Sequence, residues 1–473
     1  MVQEMLDWKL KTRGQLPIGL DIGDNFIKMI QLAVSDGHIS VLAAKKLRID
    51  QSLADDAEQR SSAIVSVIQQ ALAEGGFRGK TAISSLPNDH VRITSLRLGE
   101  NESDKLEQTL KNEAGQRFGM DPNKDSIRYM PAGDVPQGDE VKNELILFAV
   151  ASESIKEHIQ LLEDAGLQPV GIDAVPCALF RSYERSMQRQ EDQQRAVVFV
   201  DVGSRFTTVV LGRGQEITFV KQIALGGRDF NREIAAKLGI SGDEAEMLRN
   251  KLRMERAVTD QANGSGRYRA EPIGQDDTAE PTGQDAAEPI GQDGAAEAIS
   301  QNDAAEPIGQ NDAAEAISQD DAGEPIDQND TAESQTGRQP SVLDPGTRQV
   351  IVDAISSIAE KLANEISLCF RYYTVTFRGK RVERAVFSGG EAYEEILLNV
   401  LRRHLAVEIE VAQPMRGFDV TKLSLDSDRR STLCEWAVAV GLSLKGRNGD
   451  GRARRISRTG DSSVHEVDSY EGN

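Results

Sequence analysis

Apolar and polar positions repeat one pattern in two separate stretches, Ile18 to Leu32 (IGLDIGDNFIKMIQL) and Val198 to Leu211 (VFVDVGSRFTTVVL). Each reads as an apolar strand, an Asp-x-Gly turn, an alternating strand and a second turn bearing glycine. That second turn is Ser35-Asp36-Gly37 in one copy and Gly212-Arg213-Gly214 in the other. Asp21-Ile22-Gly23 lies over Asp201-Val202-Gly203, and Phe26 over Phe206. Asp-x-Gly is also a common turn on its own. Two copies of the whole hairpin, 180 residues apart, predict two related halves whose turns face each other across a cleft.

Between the copies the period changes several times. Ile39 to Arg48 alternates as a further strand, Ser61 to Glu74 has helical spacing, and Thr81 to Leu86 is a short buried strand stopped by Pro87. Val91 to Leu98 alternates again, Leu106 to Phe118 is amphipathic at helical spacing, Glu144 to Ala151 is an apolar strand, and Glu153 to Ala165 is a helix ended by Gly166. This order predicts a small α+β subdomain set into the first half. After the second hairpin, Ile223 to Gly227 leads into a helix over Asp229 to Leu238. Ser241 with Glu244 forms a capping box for another helix. Helical spacing resumes from Thr347 to Tyr373. Val382 to Phe387 is a buried strand feeding Ser388-Gly389-Gly390. A helix over Ala392 to His404, a strand over Val407 to Val411 and a helix over Ser431 to Leu442 follow.

Charge changes the picture in one place. The net charge is −21, yet residues 257–344 hold 20 Asp and Glu against Arg267, Arg269 and Arg338, a balance of −17. The rest of the chain is close to neutral, and nothing in it invites nucleic acid. The acidic stretch is a repeat: Glu271, Glu280, Glu288, Glu297, Glu306, Glu315, Glu324 and Glu333 recur every nine residues with one eight-residue step. Its units lack the paired glycines of a calcium-binding β-helix and carry too little apolar area to offset ordering entropy, so a disordered insert is expected. Cys177, Cys369 and Cys434 are few, scattered and odd in number, and the first residues lack a secretory leader. A reducing, cytoplasmic setting is expected, with no run of about 18 apolar residues to span a bilayer.

The paired turns carry the candidate chemistry. Glycine lets a phosphate approach backbone N–H groups closely, and a flanking aspartate can hold hydrated Mg²⁺. Ser388-Gly389-Gly390 would let an adenine and ribose lie flat against backbone. In the order Asp-Ile-Gly, Asp-Val-Gly, Ser-Gly-Gly, these turns resemble the two phosphate motifs and the adenosine motif of the actin-like ATPase superfamily.

Within it, the chain resembles the bacterial type IV pilus assembly PilM family. The resemblance is carried by GLDIGDNFIKMIQL, SSLPNDHVRITSLRL, LEQTLKNEAGQRFGMDP, LLEDAGLQPVGIDAVPCALFRSY, FVDVGSRFTTVVL, KQIALGGRDFNREIAAKLGISGDEAEMLR, NEISLCFRYY and AVFSGGEAYEEILLNVLRRHLAVEIEVAQPM. Ala165 to Leu179 and Gly226 to Glu246 are its most specific parts. It implies an α/β, actin-like fold of two ribonuclease H-like lobes, 16–87 with 166–196 and 197–256 with 345–445. An inserted subdomain of the kind shared with FtsA would occupy 88–165. Residues 1–15, 257–344 and 446–473 would be an N-terminal segment, the insert and a solvated tail.

The resemblance further implies ATP and Mg²⁺ in the cleft. Asp21, Gly23 and Lys28 would form the first phosphate turn. Gly203, Ser204, Thr207 and Thr208 would form the second, with Gly226 and Gly227 in the connecting turn. Ser388, Gly389 and Gly390 would hold the adenosine, Glu365 the ribose, and Asp21 with Asp201 the metal. Lys28 also reads as a hairpin-edge cation, and Thr207 and Thr208 as ordinary strand residues, of which alternation turns only one toward the cleft. The implied partner is the cytoplasmic N-terminal peptide of a PilN-like inner-membrane protein, gripped by 88–165, and through it a PilO-like protein. The protein would then be cytoplasmic, peripheral at the inner membrane, with slow or absent hydrolysis. Two departures weaken the nucleotide site: Asp24-Asn25 stands where the family places Ser or Thr, and Leu368-Cys369 replaces a polar pair. Two alternatives stay open. One is an actin-fold small-molecule kinase with Asp89 of Asn88-Asp89-His90 as base. The other is an FtsA-like self-associating filament protein, although the tail after Gly446 lacks the apolar face of a membrane helix.

Overall fold

In the computed structural model the chain opens with an antiparallel meander, β1 (Gln15–Ile22), β2 (Phe26–Ser35) and β3 (His38–Arg48). Helix α1 (Ala57–Glu74) starts where Asp56 accepts from the Gln59 N–H, and β4 (Thr81–Ser85) then pairs parallel with β1. A 3-10 turn at Asn88–His90 leads to β5 (Val91–Gly99), α2 (Leu106–Phe118), β6 (Ser126–Gln137), β7 (Glu140–Val150) and α3 (Ser152–Asp164). Strand β8 (Gln168–Asp173) returns to pair with β4 and is followed by α4 (Val175–Tyr183). The pattern then repeats as β9 (Ala196–Val202), β10 (Thr207–Arg213), β11 (Glu216–Ile223), α5 (Gly227–Leu238) and α6 (Gly242–Ala262). It closes with α7 (Pro345–Thr376), β12 (Val382–Ser388), α8 (Glu395–His404), β13 (Glu408–Val411), a 3-10 turn at Leu433–Trp436 and α9 (Ala437–Lys445). The structure describes residues 14–35, 37–50, 56–99, 106–138, 140–184, 195–262, 343–377, 381–421 and 433–446, with side chains to 256 in α6. Residues 1–13, 263–342 and 447–473, which hold most of the N-terminal segment, the insert and the tail, lie outside the described residues, while α6 runs to Ala262, past the expected start of the insert at 257.

Duplication is written into the sheets. Their orders are β3-β2-β1-β4-β8 and β11-β10-β9-β12-β13: in both, three antiparallel strands are extended by two parallel ones. The central strands are apolar on both faces, as burial on both sides requires. In β9, Val198 and Val200 are buried on one face and Val197 and Phe199 on the other; in β1, Ile18 and Leu20 are fully buried on one face while Gly19 packs on Ala439 on the other. The second half is thickened by α7, which buries Ile351, Ala354, Ile355, Ile358, Leu362 and Ile366 at helical spacing.

Between β4 and β8, strands β5, β7 and β6 form a three-stranded sheet with α2 on one face through Leu110 and Ala114 against Leu96, Leu98, Leu145 and Leu147, whereas α3, expected within the same subdomain, packs through Leu162 on the core of the first half. The other side of this sheet leans on the second half, where Ala132, Val135 and Ile146 join that half's core. Glu144 of β7, 1% exposed, accepts from Arg97 Nε at 2.7 Å and from the Tyr372 hydroxyl of α7 at 2.7 Å; Arg97 also donates to Thr376 Oγ1 at 3.1 Å. A carboxylate taken out of water needs such partners, so this cluster fixes the docking of the subdomain.

Some elements differ from the sequence reading. Strand β6 falls in a stretch to which the sequence reading assigns no element; it carries Pro131 and Pro136 and shifts register between Pro131 and Gly133, which an edge strand tolerates. Helix α8 begins at Glu395 rather than Ala392, because the Glu391 N–H bonds to Val202 O and that of Ala392 to Gly389 O, holding the chain in turns. The helix expected over Ser431 to Leu442 is a 3-10 turn followed by α9. Grouped by sequence order with the second half, α9 packs instead on the first sheet. Val440 and Leu444 meet Ile30, Leu32 and Val41, and Val438 and Leu442 meet Ile83, Val175 and Ala178. Glycine permits this close approach: a side chain on Gly441 would run into the Ala178 carbonyl, and one on Gly19 into that of Ala439.

Candidate functional site

The two Asp-x-Gly turns fold identically. The Gly23 N–H donates to Phe26 O and the Gly203 N–H to Phe206 O, each at 3.0 Å, and an added Cβ would stand 2.9 and 3.0 Å from those oxygens. In the same register, Asp21 lies across from Lys28 and Asp201 across from Thr208. The turns meet as their duplication predicted. Ser204 Oγ donates to Asp24 Oδ2 at 3.1 Å and to Asn25 Oδ1 at 3.4 Å.

Below this junction sits a buried charge cluster. Lys28 Nζ is 2.9 Å from Asp21 Oδ2, with side-chain exposures of only 12% and 13%. Burial opposes the Lys28 charge, but Asp21, Glu435 and Asp201 outweigh it and hold the ammonium above the ordinary lysine range. Asp201 accepts from Ser388 Oγ at 3.1 Å. Its carboxyl is pushed up to about 6 by burial, with Asp21 adding to the rise and Lys28 and Ser388 opposing it.

Several predicted phosphate-binding groups are already engaged. Thr207 Oγ1 donates to Leu225 O at 2.8 Å, while Thr208 Oγ1 accepts from Asn88 Nδ2 at 3.3 Å, so the two hydroxyls serve different neighbours. The Gly226 N–H donates to Asp229 Oδ2 at 2.9 Å, that of Gly227 to Gly203 O at 2.9 Å, and that of Arg228 to Ser204 O at 2.8 Å. A Cβ on Gly226 would lie 2.5 Å from Ser204 O, and one on Gly227 would strike the Glu391 carboxylate. Gly389, at φ +93°, leaves no room for a side chain against Val202 O, whereas Gly390 faces open space. Glu365 is half-buried on α7, with no hydrogen bond or ion pair to the turns among the described residues. The Leu368-Cys369 pair divides: Leu368 is 44% exposed, while Cys369 packs into the core, where burial pushes its thiol up to about 12.

The residues that sequence reasoning missed are the arginines around Asp24. Arg205 Nε lies 3.0 Å from its carboxylate, Arg60 3.8 Å and Arg228 3.9 Å, and Arg60 also donates to Asp24 O at 2.8 Å. The extra carboxylate expected to weaken phosphate binding is thus compensated by arginine. Arg205 reaches further, to Asp89 Oδ2 at 2.9 Å, in the turn that enters the inserted subdomain. Near Gly227, Arg249 grips Glu391 at 2.8 and 2.9 Å.

This arrangement does not fit Mg²⁺-ATP as it stands. The place between the turns belongs to Asp24, Asp21 is tied to Lys28, and no group of three or more His, Cys, Asp or Glu is poised for a metal among the described residues.

Residues 19–259 and 348–447 match the family model described as type IV pilus assembly protein PilM. Among solved structures, the PilM-PilN type IV pilus biogenesis complex superposes with a TM-score of 0.60 at 18% identity, over 91% of this chain and 98% of that one. The ethanolamine utilization protein EutJ from Carboxydothermus hydrogenoformans gives 0.43 at 12% identity, over 90% and 89%. Cell division protein FtsA of Streptococcus pneumoniae serotype 2 (strain D39 / NCTC 7466) is 22% identical over 252 residues, 49% of this chain and 54% of that protein. The chain therefore spans about half the length of this curated relative. The fold is that of the actin-like ATPases. No helix among the described residues is long and apolar enough to cross a membrane.

Proposed function

This chain belongs to the type IV pilus assembly protein PilM family, and from that membership we propose that it is a cytoplasmic platform of a type IV pilus or related type II secretion machine. It binds the cytoplasmic N-terminal peptide of a PilN-like inner-membrane protein, stays peripheral to the membrane through that partner, and reaches a PilO-like protein through it. The observation that carries the reading is the match of the family across both halves and the inserted subdomain. Likeness to a solved PilM-PilN complex over 98% of that chain supports it at the level of fold.

The inserted subdomain has a suitable recess. A cavity of about 230 Å³ is lined by Leu98, Leu106, Pro131, Asp134, Asn143 and Leu145. Apolar walls with a few polar groups suit one apolar side chain of an extended peptide, with Asp134 and Asn143 available to its backbone. ATP with Mg²⁺ enters this reading only in competition with Asp24. The kinase alternative draws less support, since Asp89 Oδ2 is tied to Arg205 at 2.9 Å.

Titration of the full chain with the N-terminal peptide of a genomically adjacent PilN-like protein tests the proposal. Saturable binding in the micromolar range is expected, weakened at least about 10-fold by Leu106→Asp with the melting transition retained. A folded wild-type chain that ignores the peptide at high micromolar concentration contradicts it.

A further inference from the structure

Asp24 occupies the position between the two glycine turns that the fold offers to a phosphate chain. Its side chain is 14% exposed, accepts from Ser204 Oγ at 3.1 Å and faces Arg205 at 3.0 Å, with Arg60 and Arg228 at 3.8 and 3.9 Å. A carboxylate ringed by guanidinium groups and a hydroxyl has the surroundings of a bound anion, and here the anion is covalently part of the first turn. Four N–H groups around the turns, those of Gly203, Gly226, Gly227 and Arg228, already bond within the protein. The connecting turn beside it is also engaged, although Gly390 of the expected adenosine turn faces open space. Glu391 stands against Gly227, bound by Arg249, and Arg253 lies 4.4 Å from the centre of the Tyr393 ring.

We infer that Asp24 is an internal ligand of the cleft, which joins the two halves without a nucleotide and excludes nucleotide phosphates from the turns. The same contact continues into the inserted subdomain. Arg205 carries Asp24 on Nε and Asp89 on Nη2, and neighbouring Asn88 bonds to Thr208 at 3.3 Å and accepts from Gln222 at 3.1 Å. The closed cleft and the seat of the subdomain are therefore one ionic assembly, set in place when the chain folds. A platform built in this way presents its subdomain constantly rather than in response to ATP.

Isothermal titration of the full chain with ATP and Mg²⁺ tests this, comparing wild type with Asp24→Ser and with the isosteric, neutral Asp24→Asn. Wild type is expected to show no saturable binding up to about millimolar ATP, and the variants to gain at least about 10-fold in affinity. Asn serves if Ser loosens the turn; a melting scan of each protein checks folding. Micromolar ATP binding by wild type overturns the inference, and so do folded variants that gain nothing. These outcomes are read on ATP alone, whereas the peptide titration reads the partner, so either conclusion can fail without the other.

Discussion

Gly441→Ala is expected to lower the melting temperature by more than about 5 °C, through a loss on the order of 3–5 kcal/mol. The added methyl would lie against the Ala178 carbonyl oxygen and only 2.5 Å from its carbonyl carbon, and backbone cannot swing aside as the end of a flexible side chain can. The neighbouring surface cannot yield either, since Gly19 of β1 is packed as closely on Ala439 and lies 2.6 Å, measured from its would-be Cβ, from the Ser443 nitrogen. To admit the methyl, α9 must lift from the first sheet and expose Val438, Val440, Leu442 and Leu444, all buried now. Because α9 arrives from the end of the second half, loosening it also loosens the tie between halves. Gly242→Ala is the matched control: nothing stands within 4 Å of its added Cβ, so its melting curve should change little. Scanning calorimetry of the two variants checks this, and a Gly441→Ala protein that melts like wild type would show that α9 is not seated as described.

Asp201→Asn is expected to stabilise the protein at neutral pH. Burial raises the Asp201 carboxyl from 3.8 to about 6, so the folded chain holds this proton more tightly than the unfolded chain. The sign follows from linkage: stability associated with the group is complete below the unfolded value and is lost as pH rises through the folded value. Above about pH 6 the folded protein carries a penalty on the order of 1–3 kcal/mol that a neutral amide avoids, while the Ser388 hydroxyl keeps an oxygen to donate to. The gain over wild type should be largest near about pH 7.5 and shrink toward about pH 4. A gain that is flat with pH, or a loss at neutral pH, would mean that the charged form of Asp201 is favoured by Lys28 more than burial disfavours it.

What the sequence made legible was local and periodic. The Asp-x-Gly hairpins announce themselves because turn, strand alternation and glycine lie within a few residues of one another, and both fold as read, with the same Gly N–H bond to a Phe carbonyl. The Ser241 and Glu244 capping box is equally local, and it forms, with the Glu244 N–H donating to Ser241 Oγ at 3.2 Å. Strand β6 was hidden by its prolines, which punctuate a sequence but are harmless on a sheet edge. The return of α9 to the first sheet was hidden because an apolar helix does not say which apolar surface it covers. The arginines around Asp24 were the deepest blind spot. Arg60, on α1, and Arg228, at the start of α5, look the same in a polar helix pattern whether they face water or a carboxylate. Asp24 itself was visible as a misplaced charge. Its partners became visible only when the fold brought distant segments together. The Leu368-Cys369 departure, which read as one change in the nucleotide site, is physically two, a core thiol and an exposed leucine.

The contact between the duplicated turns is most directly measured by a double-mutant cycle in urea, with Asp24→Asn, Arg205→Gln and both together. If the first turn's carboxylate holds the second turn, the two losses are non-additive by at least about 0.5 kcal/mol, even with solvent screening of the half-exposed arginine. Losses that add to within about 0.3 kcal/mol would mean that the two halves do not meet through these residues, and the reading of the cleft as closed by its own aspartate would be wrong.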